Sequence, residues 1–225
     1  FFDCSRNTLS KEFKRTIRNM RGVLQSCIVW PSRESIDENM PLCFALFTST
    51  RVVLDCTEIP VFTFKCLKCR NQTYSHYKGR HTLTFLVGIA PSGLLTFVSD
   101  LYGGKASDKF IFNDSGVLEV LESRDNVMVD RGFFIEEECS QKDVRIIRPS
   151  FLPIGESQLP HQDAEHSRNV ASSRVHVERC IERLKNFDIF HKEVPSHLLE
   201  VIPDVAIVIC GLYNLSSPIL SDEKF

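Results

Sequence analysis

The sequence predicts a single α/β domain in which helices flank a mixed β-sheet. Segments rich in β-branched residues recur along the chain, two of them flank a short turn, and segments with helical periodicity accompany them. The resulting order of strand, hairpin, helix, strand, strand and long helix is typical of an α/β fold. The 225 residues can bury one sizeable core, and neither an internal repeat nor a low-complexity linker divides them.

The composition describes an ordinary soluble globular protein, with 43% hydrophobic and 25% charged residues. The net charge of −2 argues against a surface that coats a polyanion throughout, but it says little about local basic patches. Nine cysteines, an odd number without a regular framework, predict reduced thiols. No apolar run reaches the ~20 residues of a membrane span. Because the chain begins FFDC without Met, we expect it to be a piece of a longer protein.

Residues 9–27 have the periodicity of an amphipathic helix. The residues expected on its apolar face are Phe13, Ile17, Met20 and Leu24. The cations expected on the opposite face are Lys11, Lys14, Arg15, Arg18 and Arg21. This second face is either a solvated outer surface or a surface that contacts nucleic-acid phosphates, since regularly spaced cations suit a polyanion.

The first strand and a hairpin follow this helix. Residues 50–64 are rich in β-branched side chains and carry Asp55 inside them, which predicts a strand. Residues 83–90 and 94–102 flank the sequence Pro-Ser-Gly at 91–93, which predicts a hairpin with its turn there.

The second half alternates helices and strands. Residues 107–123 are predicted to be one helix with Ser107 or Asp108 as its N-cap. The next two strands are predicted at 126–130 and 144–149.

Two helices complete the prediction. After a loop, residues 161–187 form the longest helical segment. The apolar run at 205–213 is too short for a membrane span and is predicted to be a buried C-terminal helix.

Two predicted strands carry a carboxylate where their apolar residues run out. Asp55 does so in the first strand, and Asp130 closes the strand NVMVD. A charge at the edge of a core is costly unless something pairs with it. Asp130 is therefore either a cap for the next turn or a metal ligand, and sites in α/β sheets gather at the ends of central strands.

A third carboxylate is sought in the long helix, which offers Glu178 and Glu182. At ~100° per residue, Glu178 borders the apolar stripe, whereas Glu182 is rotated ~40° further outward. Asp55, Asp130 and Glu178 therefore form a plausible oxygen cluster for hard divalent cations.

The chain resembles the DDE transposase/endonuclease domain of the PIF/Harbinger type. Forty-seven residues separate Asp130 from Glu178, which suits the spacing of the second and third acids in that group. The stretches that carry the resemblance cover nearly the whole chain in the family's order: WPSRESIDENMP, RVVLDCTEI, QTYSHYKGRHT, LVGIAPSGLLTFVSDLYGGKASDKFI, VMVDRGF and VHVERCIERLKNF.

The resemblance implies a ribonuclease-H-like fold and a polynucleotidyl-transfer site. Residues 51–216 would form the catalytic domain, after a helical lead-in at 1–50 and before a tail to residue 225. Asp55, Asp130 and Glu178 would hold two Mg²⁺ or Mn²⁺ ions that serve in-line displacement at phosphorus in DNA.

Several other residues are weaker candidates. Lys78 and Arg80, with Tyr77, either touch substrate phosphates or are solvated surface residues. Asp108 lies within a family motif and is either near the site or a helix cap. Asp100 ends a strand and is a weak further candidate, and Glu58 is interpreted as structural.

Two features depart from the family's pattern. Thr84 stands where the family leads us to expect Lys, which puts one DNA contact in doubt. Cys66 and Cys69, with His76 and His81, invite a zinc interpretation, but the gap of six residues between Cys69 and His76 is far shorter than in a zinc finger.

Three functions follow from the resemblance. The first is a metal-dependent DNA endonuclease or transposase, and the second is a host-adapted descendant that binds DNA or a protein without cutting. The third is a purely structural fragment. Related proteins carry a separate DNA-binding module, so target recognition is expected in another segment or another polypeptide. The expected location is the nucleus, with the cytoplasm as the alternative.

Overall fold

The computed structural model describes residues 4–156 and 158–218. Its helices are α1 (Arg6–Leu24), α2 (Arg33–Glu38), α3 (Leu67–Thr73), α4 (Asp108–Asp114), α5 (Val117–Val120), α6 (Glu136–Gln141), α7 (His161–Lys185), α8 (Asp188–His191) and α9 (Ile202–Asn214). Its strands are β1 (Thr50–Pro60), β2 (Tyr74–Ser75), β3 (Arg80–Ile89), β4 (Leu95–Val98), β5 (Tyr102–Gly103), β6 (Asn126–Met128) and β7 (Arg145–Ile147). No helix in the described ranges is both long and apolar enough to cross a membrane.

The strands form one mixed sheet with β1 near its centre. The order is β2-β3-β1-β6-β7, with β4 and β5 also pairing with β3. The β1–β3 pair is antiparallel, whereas β1–β6 and β6–β7 are parallel. The predicted α/β class with a mixed sheet flanked by helices is therefore confirmed, in the ribonuclease-H-like arrangement that the resemblance implies.

Each face of the sheet packs against its own set of helices. Val53 of β1 belongs to a cluster with apolar residues of α7 and α9. Val52 and Leu54, its neighbours along the strand, belong to a second cluster with residues of α4, α5 and α6. Because successive strand side chains point to opposite faces, the apolar run of β1 supplies both cores.

The predicted hairpin is confirmed, but the predicted helix at 107–123 is wrong. The backbone N–H of Gly93 donates to the carbonyl of Ala90 at 2.8 Å in the turn between β3 and β4. The helix breaks into α4 and α5 at Gly116, whose φ of 77° is a left-handed conformation that glycine adopts without steric cost. The first strand also ends earlier than predicted, at Pro60.

The two faces predicted for α1 are only partly correct. Ile17 packs against the core and Leu24 is buried, but Phe13 is 40% exposed. Lys14 points toward the protein, and its Nζ lies 2.9 Å from Glu200 Oε2. Arg21 pairs with Asp204, near the start of α9. Periodicity could not predict this arrangement, because it depends on carboxylates that lie far along the chain.

None of the nine cysteines, which all lie in the described ranges, forms a disulfide, as the composition predicts. They are spread over the exposed surface, its borders and the core, and three of them, Cys139, Cys180 and Cys210, are buried. Apolar burial raises the pKa of the Cys180 thiol to about 11, which keeps it protonated. The fold is therefore held without covalent cross-links among the described residues.

We predict that Gly211→Ala destabilises the fold, although alanine favours helices. A Cβ at this position in α9 would lie 2.6 Å from the backbone oxygen of Leu24 and 2.7 Å from its Cβ. The end of α1 would have to move, at a cost of about 1–3 kcal/mol. Urea unfolding of the variant and the wild type measures the difference.

Gly22→Ala is the matched control for this prediction. Gly22 lies in α1. Apart from its chain neighbours and the backbone of its own helix, no atom comes within 4 Å of a Cβ built there. Alanine should stabilise this helix by up to about 1 kcal/mol. A Gly211→Ala protein as stable as the Gly22→Ala protein would contradict the close packing of α1 on α9.

Candidate active site

The parallel pairing of β1 with β6 places Asp55 and Asp130 side by side. The last paired residues are Val53 and Met128, and each aspartate follows two residues later. Val53 and Met128 both belong to the core on the α7 face of the sheet. Because strand side chains alternate, continuing this register brings both carboxylates to the α7 face on adjacent strands, which lie about 4.8 Å apart.

Asp55 is half-buried, and its environment disfavours the charged form. Burial raises the pKa of Asp55 to about 6, and repulsion from Asp130 and Asp108 adds to the increase. The Arg174 guanidinium and a 3.0 Å hydrogen bond from the backbone N–H of Cys56 oppose it. A nearby cation would stabilise the charged form of this carboxylate.

Asp108 joins these two aspartates because another residue caps its helix. The cap of α4 is Ser107, whose hydroxyl accepts a hydrogen bond from the backbone N–H of Phe110 at 3.2 Å. The Asp108 carboxylate instead accepts a hydrogen bond from the Cys56 thiol. Burial, followed by repulsion from Glu58 and Asp130, raises the pKa of Asp108. Of the two roles predicted for Asp108, helix capping is therefore wrong.

Helix α7 lies over the same face and brings two cations toward Asp55. Arg174 is 5% exposed, and its charge lowers the pKa of Asp55. Lys185 is half-buried, and burial, followed by repulsion from Lys78, lowers its pKa. Asp55 and Glu58 oppose that decrease. Carboxylates and cations therefore lie together around Asp55.

Glu178 and Glu182 are both exposed, so burial does not separate the two glutamates as we expected. Their positions around α7 do. At about 100° per residue, Glu178 lies about 40° from Arg174 and about 20° from Lys185. Glu182 lies about 80° and about 60° from the same cations, although Glu182 is the glutamate of α7 that is among the main charges acting on Lys185. Glu178 is therefore nearer to the side of α7 that faces Asp55.

Of the three predicted metal ligands, Asp55 and Asp130 lie close together, whereas Glu178 lies further away. Asp55, Asp108 and Asp130 act on one another electrostatically, but Glu178 is not among the main causes of the raised pKa of Asp55. Within residues 4–156 and 158–218, no group of three His, Cys, Asp or Glu side chains is arranged to hold a metal ion. The structure thus brings two of the three together and leaves Glu178 at the border.

The chemistry of the side chains nevertheless suits a hard divalent cation. The candidate donors are carboxylate oxygens, which Mg²⁺ and Mn²⁺ prefer. The two carboxylate oxygens of Glu58 differ in their contacts. Its Oε1 accepts a 3.2 Å hydrogen bond from the Ser75 hydroxyl. Its Oε2 is buried without a hydrogen-bond partner in the described part of the chain. An unsatisfied buried carboxylate oxygen is costly unless a cation or proton reaches it.

The remaining sequence candidates lie at varying distances from these acids. Lys78 and Arg80 are exposed, and Lys78 is close enough to Lys185 to affect its pKa. The Nζ of Lys78 lies 4.4 Å from the ring centroid of Tyr77, which is 86% exposed. Asp100 is exposed after β4, and nothing in the described structure links it to Asp55.

The structure gives the zinc interpretation no support. The Cys66 and Cys69 thiols hydrogen-bond to each other. The His81 Nδ1 lies 3.1 Å from the Thr73 hydroxyl, and the rings of both His76 and His81 contact Tyr74. These four side chains do not form a metal-binding group in the described structure.

Arg174, Lys185 and Cys56 belong to the site but were not predicted from the sequence. The sequence could have predicted the two cations, because Arg174 lies four residues before Glu178 and Lys185 seven residues after it, on the same side of α7. Cys56 offered no signal, since only the packing of α4 on β1 reveals its contact with Asp108.

A comparison with protein families matches residues 54–214 to the model described as DDE superfamily endonuclease. The match covers more than half of the chain and includes every carboxylate of the site. Comparisons with curated proteins and with solved structures found no match.

We predict that Asp55→Asn stabilises the metal-free protein at pH 7.5. The folded pKa of about 6 exceeds the unfolded value near 4. The protonated carboxyl therefore contributes stability at low pH, and this contribution is lost as the pH rises through 6. Asparagine avoids the loss, so the variant should be about 2 kcal/mol more stable at pH 7.5 and about 1 kcal/mol or less at pH 4.5.

Urea unfolding in EDTA at the two pH values measures this difference. Asp100→Asn removes an exposed aspartate outside the cluster and should change stability by less than about 0.5 kcal/mol at either pH. A constant difference between wild type and Asp55→Asn from pH 4.5 to 7.5 would show that the fold does not strain this carboxylate.

Proposed function

Since the chain belongs to the DDE superfamily of endonucleases, we propose that it is a divalent-metal-dependent DNA nuclease of the PIF/Harbinger transposase type. The observation that supports this most is the placement of Asp55 on β1 beside Asp130, which follows the adjacent parallel strand β6, beneath a helix that carries Glu178. The substrate would be a phosphodiester bond of DNA, and the expected location is the nucleus.

Each acid of the proposed triad has a distinct structural role. Asp55 and Asp130 hold a fixed separation because the sheet sets the spacing of their strands. Glu178 would approach them from α7, with its side chain free to move because it is exposed. When bound, Mg²⁺ or Mn²⁺ supplies activation of the attacking oxygen and stabilisation of the leaving oxygen.

The cations of α7 contribute to the same chemistry. Arg174 offsets part of the repulsion between Asp55 and its acidic neighbours. Lys185, between Asp55 and Lys78, offers an ammonium group to a DNA phosphate that approaches the acids. Specific recognition of a target sequence would come from a separate DNA-binding module or protein.

A second candidate function is a transposase-derived protein that binds DNA or a protein partner without cutting. The separation of Glu178 from the electrostatic cluster favours this candidate. Retained acids do not by themselves establish turnover, because all three ligands must converge to hold the metal in place.

We predict that the wild-type chain nicks supercoiled plasmid DNA in Mn²⁺ and that Asp130→Asn abolishes nicking. Removal of a metal ligand from a carboxylate site should lower the rate by at least about 100-fold. Agarose gels resolve the nicked product over time. An Asp130→Asn protein that nicks at the wild-type rate would assign the activity to a contaminant or to another site.

Glu178→Gln and Glu182→Gln form a matched pair on the same helix. We predict that Glu178→Gln also abolishes nicking, whereas Glu182→Gln stays within about threefold of wild type, because Glu178 lies nearer to the side of α7 that carries Arg174 and Lys185. The reverse result would place the third ligand at Glu182, one turn further along α7. Wild-type binding to DNA without any nicking would favour the non-cleaving descendant.

A further inference from the structure

A long stretch of the chain contains cations but no acids. No Asp or Glu occurs between Glu58 and Asp100, although the whole chain has a net charge of −2. The cations of this stretch lie within sixteen residues of one another: Lys65, Lys68, Arg70, Lys78 and Arg80. They concentrate positive charge in one part of an otherwise slightly acidic protein.

The fold places this stretch at one edge of the sheet. Lys65 precedes helix α3, which carries Lys68 and Arg70. Lys78 lies in the turn between β2 and β3, Arg80 begins β3, and β2 is the terminal strand of the sheet. Lys105 joins the same region, because its backbone N–H donates to the carbonyl of Gln72 in α3 at 3.1 Å. We name the region the edge surface and define it by Lys65, Lys68, Arg70, Lys78, Arg80 and Lys105.

The cations of the edge surface are available to a ligand. All six side chains belong to exposed residues, and none forms an ion pair within the described residues. In helix α1, by contrast, Lys14, Arg18 and Arg21 pair with Glu200 or Asp204. The two cationic regions thus differ, because several cations of α1 form ion pairs with acids of the protein, whereas those of the edge surface form none in the described part of the chain.

Two shallow grooves cross the edge surface and meet at Lys105. The larger, about 760 Å³, is lined in part by Phe64, Tyr102 and Phe110. The smaller, about 480 Å³, is lined by the residues Leu67, Arg70, Asn71, Tyr74, His76, His81 and Lys105. Aromatic rings line both grooves, together with two cations of the edge surface, Arg70 and Lys105. Aromatic rings beside cations suit the stacking and phosphate contacts of nucleic acids.

The edge surface adjoins the acidic cluster, which comprises Asp55, Glu58, Asp108 and Asp130. The Ser75 hydroxyl donates to Glu58 and also accepts a 3.2 Å hydrogen bond from the backbone N–H of Lys78. On the other side, Ser107 lines the larger groove and immediately precedes Asp108. A polymer that lies along the grooves therefore reaches the carboxylates at Glu58 and Asp108.

We propose that the edge surface binds the phosphate backbone of DNA and guides it to the acidic cluster. The proposal rests on the proposed nuclease function and locates its substrate path. Six cations without an ion-pair partner among the described residues, spread from the segment before α3 to the start of β3 and the Lys105 loop, match a repeating polyanion. The exposed rings of Tyr74 and Tyr77 add contact area that suits nucleotides.

The test measures DNA affinity without cleavage. Fluorescence anisotropy in EDTA follows binding of a labelled 30-base-pair duplex as KCl rises from 50 to 200 mM. The variant Lys65→Gln/Lys68→Gln/Arg70→Gln should bind at least tenfold more weakly at 100 mM KCl. The slope of log affinity against log salt should fall by about 2–3, because each lost phosphate contact removes about 0.9.

The control variant Arg6→Gln/Lys11→Gln/Arg15→Gln removes the same charge from α1, where all three residues are exposed. It should keep a slope within about one unit of the wild type. An equal fall in slope would mean that only net charge matters and would overturn the proposal, as would an unchanged slope in the edge-surface variant. Circular dichroism melts check that both variants fold.

Competition identifies the class of partner. Unlabelled duplex should displace the probe at lower concentration than polyglutamate of matching charge, and the reverse would assign the surface to an acidic protein and overturn the proposal. Mn²⁺-dependent nicking by the wild type is measured separately. Nicking with an unchanged salt slope rejects the edge surface and keeps the nuclease, whereas a reduced slope without nicking keeps the surface and rejects the nuclease.

Discussion

The parallel register between β1 and β6 is the constraint on which the site depends. Continued two residues past its last pair, this register brings Asp55 of β1 and Asp130, just after β6, to the same face of the sheet, where the two carboxylates repel each other. Asp108 adds a third negative charge from the start of α4. Arg174 compensates only in part, since the pKa of Asp55 remains raised. A cation bound between these acids would relieve the repulsion, which agrees with the metal-dependent chemistry that we propose for this member of the DDE superfamily.

The cations of α1 and those of the edge surface have different roles. Cations of α1 fasten that helix to the region of Glu200 and Asp204, so they stabilise the fold. The cations of the edge surface have no such partners in the described chain and lie beside the acids. The net charge of −2 hides this division, because it sums an acidic cluster and a basic border that would act on the same substrate.

The sequence predicted the parts of the site that depend on local pattern. The hairpin at Gly93, the long helix α7 and the position of Asp130 just after β6 each follow from short stretches of residues. Asp55 was expected where the apolar residues of its strand run out, but β1 continues beyond it to Pro60. The sequence did not predict that Ser107 rather than Asp108 caps α4, because either residue type can cap a helix. Nor could it predict that Lys14 faces inward, since that orientation depends on Glu200, a residue distant in sequence.

The claim that Asp55 and Asp130 flank a divalent cation can be tested by locating the cation directly. Fe²⁺ substitutes for Mg²⁺ at oxygen sites, and with ascorbate and peroxide it generates radicals that cut the backbone nearby. We predict fragments that end near Asp55 and Asp130, weaker cuts near Glu178, and suppression of all three by excess Mg²⁺. Mass spectrometry identifies the cut positions. Cuts confined to other regions, or cuts near Asp55 that persist in Asp130→Asn and in excess Mg²⁺, would contradict the account.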